Sequence, residues 1–417
     1  MKKTQLSLLA VSVLLASQVH AAGFQVVEHS ASGLGRAFSG DGAVGDNASE
    51  MSANPATMVL FDRAQFSIAG SYLEPEIDVD NKTTGESNDD IAPSAFVPAI
   101  YYLNPINENW VWGVGLYTDY GVETKYEKDF AFGEQAGNTS LMTFKLNPNL
   151  AYRINDHFSL GAGVSAVYAK AELKRYKGNL SALPIPALAG APSDNLMKMK
   201  GDTVGWGWNV GALIEIDDNN RFSIGYKSAV KLKFRDGDFT DGTGAKTGIP
   251  GKKVDSDLDL DLPDILEIAG FHQLTPKWAV HYSWQWTNYS KFDEIKSTSS
   301  QCAGGECVYK GEDYSDAQRW AIGATYNINE QWIARAGFAY DEQAGEPTAS
   351  IPDADRYWYT AGLTYLWTDN LSLDAGFAYI QGDTVEFTES SQVTGQPYRL
   401  KADGPAYLSA VQLNYSF

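Results

Sequence analysis

Val411-Gln-Leu-Asn-Tyr-Ser-Phe417 ends the chain. Val411, Leu413, Tyr415 and Phe417 take every second position, with Gln412, Asn414 and Ser416 between them. Alternation with period two is a strand with one apolar and one polar face. An ordinary edge strand shares that pattern. A strand that closes an outer-membrane barrel shares it too, faces lipid on alternate residues and ends on an aromatic. On that reading Phe417 is a signal for the barrel-assembly machinery.

The beginning of the chain carries a matching mark. Lys2 and Lys3 precede an apolar run from Leu6 to Ala16, followed by Val19-His20-Ala21. A charged start, a short apolar core and a small-x-small exit predict a secretory signal peptide over 1–21. No later run is long enough for an apolar helix to span a bilayer. An exported chain without helical spans remains a membrane protein if it closes into a barrel, because closure satisfies every backbone group internally.

Between these ends the chain repeats one unit, a dyad-patterned strand followed by a turn. Phe66, Ile68, Gly70 and Tyr72 open the series. Met142, Phe144, Leu146, Leu150, Tyr152 and Ile154 share a face, as do Phe158, Leu160, Ala162, Val164, Ala166 and Tyr168. The same spacing puts Phe222, Ile224, Tyr226, Val230, Leu232 and Phe234 on one face. Short linkers such as Asn155-Asp156 and Thr368-Asp-Asn370 alternate with long ones, roughly 78–94, 123–140, 176–202, 236–256, 289–316, 342–355 and 381–404. Short periplasmic turns and long extracellular loops are the asymmetry of outer-membrane barrels, and this series predicts about 14 strands over 64–417. Such a lumen is too wide for side chains alone to fill. Residues 22–63, rich in Gly, Ala and Ser, are expected either to plug it as an N-terminal hatch or to trail as a periplasmic tail.

Composition narrows the partners. A formal net charge of −20 argues against nucleic acid. It suits solvated loops, or contact with outer-membrane lipid and lipopolysaccharide through bridging cations. Cys302 and Cys307 are the only two cysteines. They are expected to form one local disulfide in an oxidising compartment and are too few to hold a metal. No cofactor is expected. Gly40-Asp-Gly-Ala-Val-Gly45 matches a dinucleotide fingerprint, but no buried strand precedes it. His281 and Ser283 share a strand face that should point into the lumen, so an outward-facing hydrolase site is not expected.

The segment Gly23-Phe-Gln-Val-Val-Glu-His-Ser-Ala-Ser-Gly-Leu-Gly-Arg36, with Asn54-Pro55-Ala56, Asp119-Tyr120-Gly121, Ile351-Pro-Asp-Ala-Asp-Arg-Tyr-Trp358 and the closing Asn414-Tyr-Ser-Phe417, resembles the FadL-type long-chain fatty acid transporters of Gram-negative outer membranes. The resemblance runs over essentially the whole mature chain. It implies a 14-stranded barrel with an internal hatch and a kinked third strand that opens a hole in the wall; a monomer is expected. The kink falls at Asp119-Tyr120-Gly121, where a strand-interior Gly is also the usual mark of a bulge. Asn54, Pro55 and Ala56 are expected to pack near it, with Ala95 lining the gap. Leu180, Leu183, Ile185 and Leu188 are expected to form an outer capture groove, or simply to pack within their loop. Phe24 is expected at the ligand tail and Arg175 at its carboxylate. The family's second carboxylate partner, a lysine, is expected to be replaced here, with Arg319 compensating. Lys227, Lys231 and Lys233 are expected on the lumen face, paired with Asp257, Asp259 and Asp261 of the next strand. Uptake of other hydrophobic compounds, such as aromatic hydrocarbons, is the alternative function.

Overall fold

The computed structural model describes residues 23–417. The signal peptide expected over 1–21 lies outside the described residues. Fourteen antiparallel strands form one closed wall. They are β1 (Gln65–Pro75), β2 (Ala95–Pro105), β3 (Trp110–Tyr117 and Gly121–Lys125), β4 (Asn138–Arg153), β5 (Phe158–Tyr176), β6 (Asn195–Asp217), β7 (Asn220–Lys227 and Val230–Asp241), β8 (Lys252–Leu262 and Ile265–Gln273), β9 (Trp278–Thr287 and Glu294–Thr298), β10 (Glu306–Gly311 and Ala317–Asn327), β11 (Trp332–Asp341), β12 (Arg356–Thr368), β13 (Leu371–Gly382) and β14 (Pro405–Ser416). β14 pairs with β1 from Gln65↔Ser416 to Pro75↔Ala406, which closes the ring. Val411 and Phe417 stay outside, 67% and 60% exposed. A closed ring leaves no free edge strand, which is the condition for crossing lipid with strands; the pairing is interrupted beside β3. No helix among the described residues is long and apolar enough to cross a membrane.

β5 and β6 run 19 and 23 residues, well beyond the roughly ten that a tilted bilayer crossing needs. The surplus stands above the membrane, and its polarity changes accordingly. On β5 the outward residues pass from Leu160, Val164 and Tyr168 to Lys170, Glu172 and Lys174, while the inward ones become Val167, Ala169 and Leu173. Lys170 pairs with Asp202 and Tyr168 with Val204, so β6 switches at the same rung.

Several strands are broken, and most breaks turn the upper half over. On β7, Ile224 faces out below the break, but Val230, Leu232 and Phe234 face in above it. The single face expected from Phe222 to Phe234 is therefore two faces of opposite sense. One added residue in a strand moves every later side chain to the other side. The lumen placement expected for the lysines fails for the same reason, although Lys231 does pair with Asp261, at 3.7 Å. Lys231 and Lys233 face outward rather than into the lumen, opposite Asp261 and Asp259. Lys227, below the break, points inward and binds elsewhere.

Residues 24–60 are almost entirely buried against the inner wall. Arg36 holds this segment together, binding Asp41, Asp46 and Glu50 at 2.6, 2.7 and 2.9 Å. Arg335 of β11 ties Asp46 to the wall at 3.1 Å. Gly337 lies so close to the Arg36 backbone that no side chain would fit there. Cys302 and Cys307 are bonded in the β9–β10 hairpin.

Candidate functional site

The break in β3 has a specific physical cause. β2 and β3 pair only from Ile100↔Leu116 to Pro105↔Val111. Beyond Tyr117 the backbone turns from β2 to the N-terminal segment. Val26 N–H donates to Asp119 O at 2.7 Å, Gly121 N–H donates to Phe24 O at 2.8 Å, and Gln25 bridges to Tyr120. His29 Nε2 lies 3.0 Å from Thr118 O. The upper end of β2, beginning at Ala95, is left without a partner on β3. Ala95 is buried instead in one apolar cluster with Val26 and Val27.

Charge locks this arrangement. The Asp119 carboxylate receives Lys145 of β4 at 2.7 Å and Lys227 of β7 at 2.8 Å, with His29 Nε2 at 3.5 Å. All four side chains are nearly buried. Burial and then Lys227 lower the His29 imidazole to about 4, so it remains neutral at ordinary pH. Its neighbour Glu28 is fully buried, and its carboxylate oxygens find no hydrogen-bond partner of good geometry. Burial pushes that carboxyl up to about 7, against a weaker pull from its own amide and that of Val27.

Above the break lies an apolar cavity of about 720 Å³, part of it open to solvent. Val122, Leu141, Leu173, Met199, Phe234, Leu258, Leu260 and Ile351 line it. Phe24 forms its floor within an aromatic group, with ring centroids 5.7 Å from Tyr120, 5.2 Å from Tyr289 and 5.1 Å from Phe292. Leu173 also lines an outer chamber of about 1040 Å³, which contains Arg175 and Lys310. Arg175 is buried and donates to Asn138 O, Lys174 O and Thr139 Oγ1 at 3.1–3.2 Å, and to Ser350 Oγ at 2.7 Å. Among the described residues no carboxylate lies within ion-pair distance of it. Lys310 Nζ reaches the same Ser350 Oγ at 3.0 Å and is paired with Glu312 at 3.2 Å. Glu312 and Glu389 attract the Arg175 guanidinium only from beyond ion-pair distance, which leaves it able to take an anionic group at closer range.

On the inner side, a smaller space of about 320 Å³ is lined by Asp119, Tyr120, Val167, Val230 and Leu262, directly against the break. Tyr120 spans it, donating from its hydroxyl to Pro263 O at 2.8 Å.

Several sequence expectations need correction. Asn54, Pro55 and Ala56 pack against Gly161 of β5 and Gly211 of β6, where the absence of a side chain makes room. Asn54 donates to Ala212 O at 2.9 Å. Toward the break, Ala56 shares a buried cluster with Tyr101 and Tyr117, and Ser52 Oγ lies 3.5 Å from His29 Nδ1. Gly121 has no left-handed backbone, and an added Cβ would meet only ordinary contacts, so the kink is not the work of that glycine. Arg319 is held by Asp341 at 2.8 Å and donates to Ala37 O at 3.0 Å; it lines none of the three spaces described. Lys310, not Arg319, stands beside Arg175. Lys310 was not among the residues expected at this site. Its signal was a lone cation on the inward parity of Val308. Leu180 and Leu188 are buried inside their loop, while Leu183 is half-buried and Ile185 exposed, so the four do not share one groove.

A lipid-facing barrel with an internal apolar cavity and a broken wall defines an outer-membrane protein that passes hydrophobic compounds. The chain belongs to the family described as outer membrane protein transport protein (OMPP1/FadL/TodX), which it matches over residues 12–417. It is 39% identical to the long-chain fatty acid transport protein of Escherichia coli O6:H1 (strain CFT073), over 99% of this chain and 98% of that one. It is 37% identical, over the full length of both, to outer membrane protein P1 of Haemophilus influenzae strain Rd. Among solved structures, a Pseudomonas aeruginosa FadL homologue superposes with a TM-score of 0.83 at 22% identity, covering 95% of this chain and 100% of its own. The Pseudomonas putida toluene transporter TodX superposes at 0.69 and 18% identity, covering 96% and 100%. At those identities the two structures speak for the fold. The family is one of transport proteins, not enzymes.

Proposed function

We propose that the protein carries long-chain fatty acids across the outer membrane and releases them sideways into it. Arg175 and Lys310 hold the carboxylate. The tail lies in the apolar cavity down to Phe24. Residues 23–60 act as a hatch that keeps water out of the bore, and the break beside Asp119-Tyr120 is the exit. Leu183 and Ile185 offer the first apolar contact on the outer loop.

The observation that carries this reading is the buried Arg175, with no carboxylate in ion-pair distance among the described residues, in the chamber that adjoins a greasy cavity at Leu173. Each methylene of an acyl chain gains roughly 0.8 kcal/mol on leaving water. A water-filled bore would forfeit that gain, whereas a chain of apolar spaces keeps it. The carboxylate alone needs a cation inside. The depth of the break supports a lateral exit. On β4 the outward apolar residues end at Met142, with Ser140 and Asn138 beyond, and Met142 pairs with Gly121. Residues 118–120 thus lie just on the membrane side of that boundary.

The test is oleate binding and uptake by Arg175→Ala and by Arg175→Ala/Lys310→Ala. Losing a charge-assisted hydrogen bond costs about 1.5–3 kcal/mol, so binding should weaken roughly ten- to a hundredfold in the single variant while the barrel still assembles. Unaltered oleate affinity in the double variant would overturn the assignment. If oleate binding were lost but uptake of toluene kept, Arg175 would select acids in a barrel that also passes uncharged compounds.

A further inference from the structure

A second cleft, of about 660 Å³ and partly open to solvent, lies across the segment 349–355 from the apolar cavity. Ile351 lines both spaces. Thr124 Oγ1 pins the partition by donating to Ser350 O at 2.8 Å. The walls are aliphatic: Ile77, Ile91, Ile380, Val385 and Ala402. Part of this wall belongs to a small four-stranded sheet outside the barrel, which pairs Asp78–Asn81 with Pro397–Asp403. Nothing in the fatty acid route uses this cleft.

Its charges differ from those around Arg175. Asp353, Asp383 and Asp403 line it against one guanidinium, that of Arg356. Arg356 pairs with Asp353, and Lys401 pairs with Asp403 at 2.9 Å. Asp383 has no such partner among the described residues and is exposed. The lining is therefore negative on balance and repels a carboxylate. Arg356 and Asp383 both line the cleft, so a hydroxyl there can accept a hydrogen bond from the guanidinium and donate one to the Asp383 carboxylate. The cleft also borders the buried cluster of Ile380 and Ala406 with Val26, Val27 and Ala95, which backs onto the break in the wall.

We propose that this cleft is a second ligand site, selective for uncharged apolar molecules bearing one hydroxyl, of the fatty-alcohol class. The two sites then sort ligands by head group: acids go to Arg175, alcohols to the cleft beyond Ile351. The assignment stands whether or not oleate is the main cargo, because its test is read with the first cavity filled.

The probes are decan-1-ol and decanoate, counted by native mass spectrometry on the intact protein at saturating oleate. 10-Bromodecan-1-ol locates the site by anomalous scattering. The expected result is one alcohol bound alongside one oleate, with a bromine peak between Ile91 and Val385. Ile91→Trp and Val385→Trp, which fill the cleft from opposite walls, should each weaken alcohol binding at least tenfold and leave oleate unchanged. Complete displacement of the alcohol by oleate would overturn the proposal, as would retention of the alcohol in both variants or equal binding of decanoate. Should either variant fail to assemble, the bromine position in the unaltered protein decides alone.

Discussion

Asp119 carries three charged or polar side chains from three different elements, so its neutralisation is the sharpest probe of the break in β3. Asn in its place preserves shape and removes the charge. Lys145 and Lys227, now 2.7 and 2.8 Å from the carboxylate, would be left as two buried cations facing a neutral amide. Removing one partner of a buried pair costs about 3–5 kcal/mol, and here two cations lose the same partner. The backbone bonds from Val26 and Gly121 remain, so the barrel should still form and the cost should fall on local opening. At 1.36 kcal/mol per tenfold, about 3 kcal/mol multiplies the open population more than a hundredfold. Hydrogen exchange at the amides of Val26 and Gly121 reads this directly, since both are bonded across the break. Protection there should fall about a hundredfold or more in Asp119→Asn, with the β5–β6 ladder unchanged. Adding Lys145→Met and Lys227→Met should restore most of it, because an apolar set of similar volume carries no stranded charge. Protection within threefold of wild type in the single variant would refute the view that charge, rather than strand geometry, holds the break.

Other perturbations separate the contributing parts. Gly121→Ala should leave oleate uptake within about twofold, since the new Cβ would sit 3.5 Å from Leu141 O and 3.6 Å from Val26 Cγ2; a tenfold loss would restore the glycine to the mechanism. Glu28 keeps its proton in the folded chain between its ordinary 4.5 and about 7. Its contribution is complete below pH 4.5 and is lost as pH rises through 7, amounting to about 3 kcal/mol. Hydrogen exchange over 24–35 should therefore quicken between pH 5 and 8 beyond its intrinsic dependence, and Glu28→Gln should remove the excess. Leu183→Asp/Ile185→Asp should weaken cell-surface capture of oleate with barrel content unchanged; full capture would take the outer loop out of the route.

The wall was legible because lipid imposes one rule on every strand. Alternation from Phe66 to Tyr72 and from Phe158 to Tyr168, with short and long linkers in turn, leads to fourteen strands whichever side chains fill the lumen. The site was less legible because periodicity tells which residues share a face but not which way that face points. Lys227 and Lys231 are four residues apart and read as one column, yet Ser228 and Ala229 separate an inward lysine from an outward one. Lys310 could not be placed from sequence because Ser350, which it shares with Arg175, and Arg175 itself come from distant parts of the chain. The place of Asn54-Pro55-Ala56 depends on notches at Gly161 and Gly211, and a notch exists only once strands lie side by side.

The reversals of face are themselves the reason a cavity can exist where it does. Below the membrane surface the lumen is filled by a polar, hydrogen-bonded segment, so inward residues such as Ser159, Asn209 and His281 are polar and outward ones greasy. Above it the outside is water, and an apolar interior becomes affordable only if the inward set changes character. β5 and β6 make the change by swapping residue chemistry at constant phase. β3, β7 and β8 make it by breaking, which turns Val122, Leu232 and Leu260 inward in one step. A break frees backbone groups, and in β3 these are taken up by Phe24, Val26 and His29 rather than by β2. Lining the cavity with these strands thus interrupts the pairing of β2 with β3 beneath it, and the N-terminal segment supplies the bonds that β2 does not. On the proposed route, storage in that cavity and exit beside Tyr120 would both follow from one change of phase.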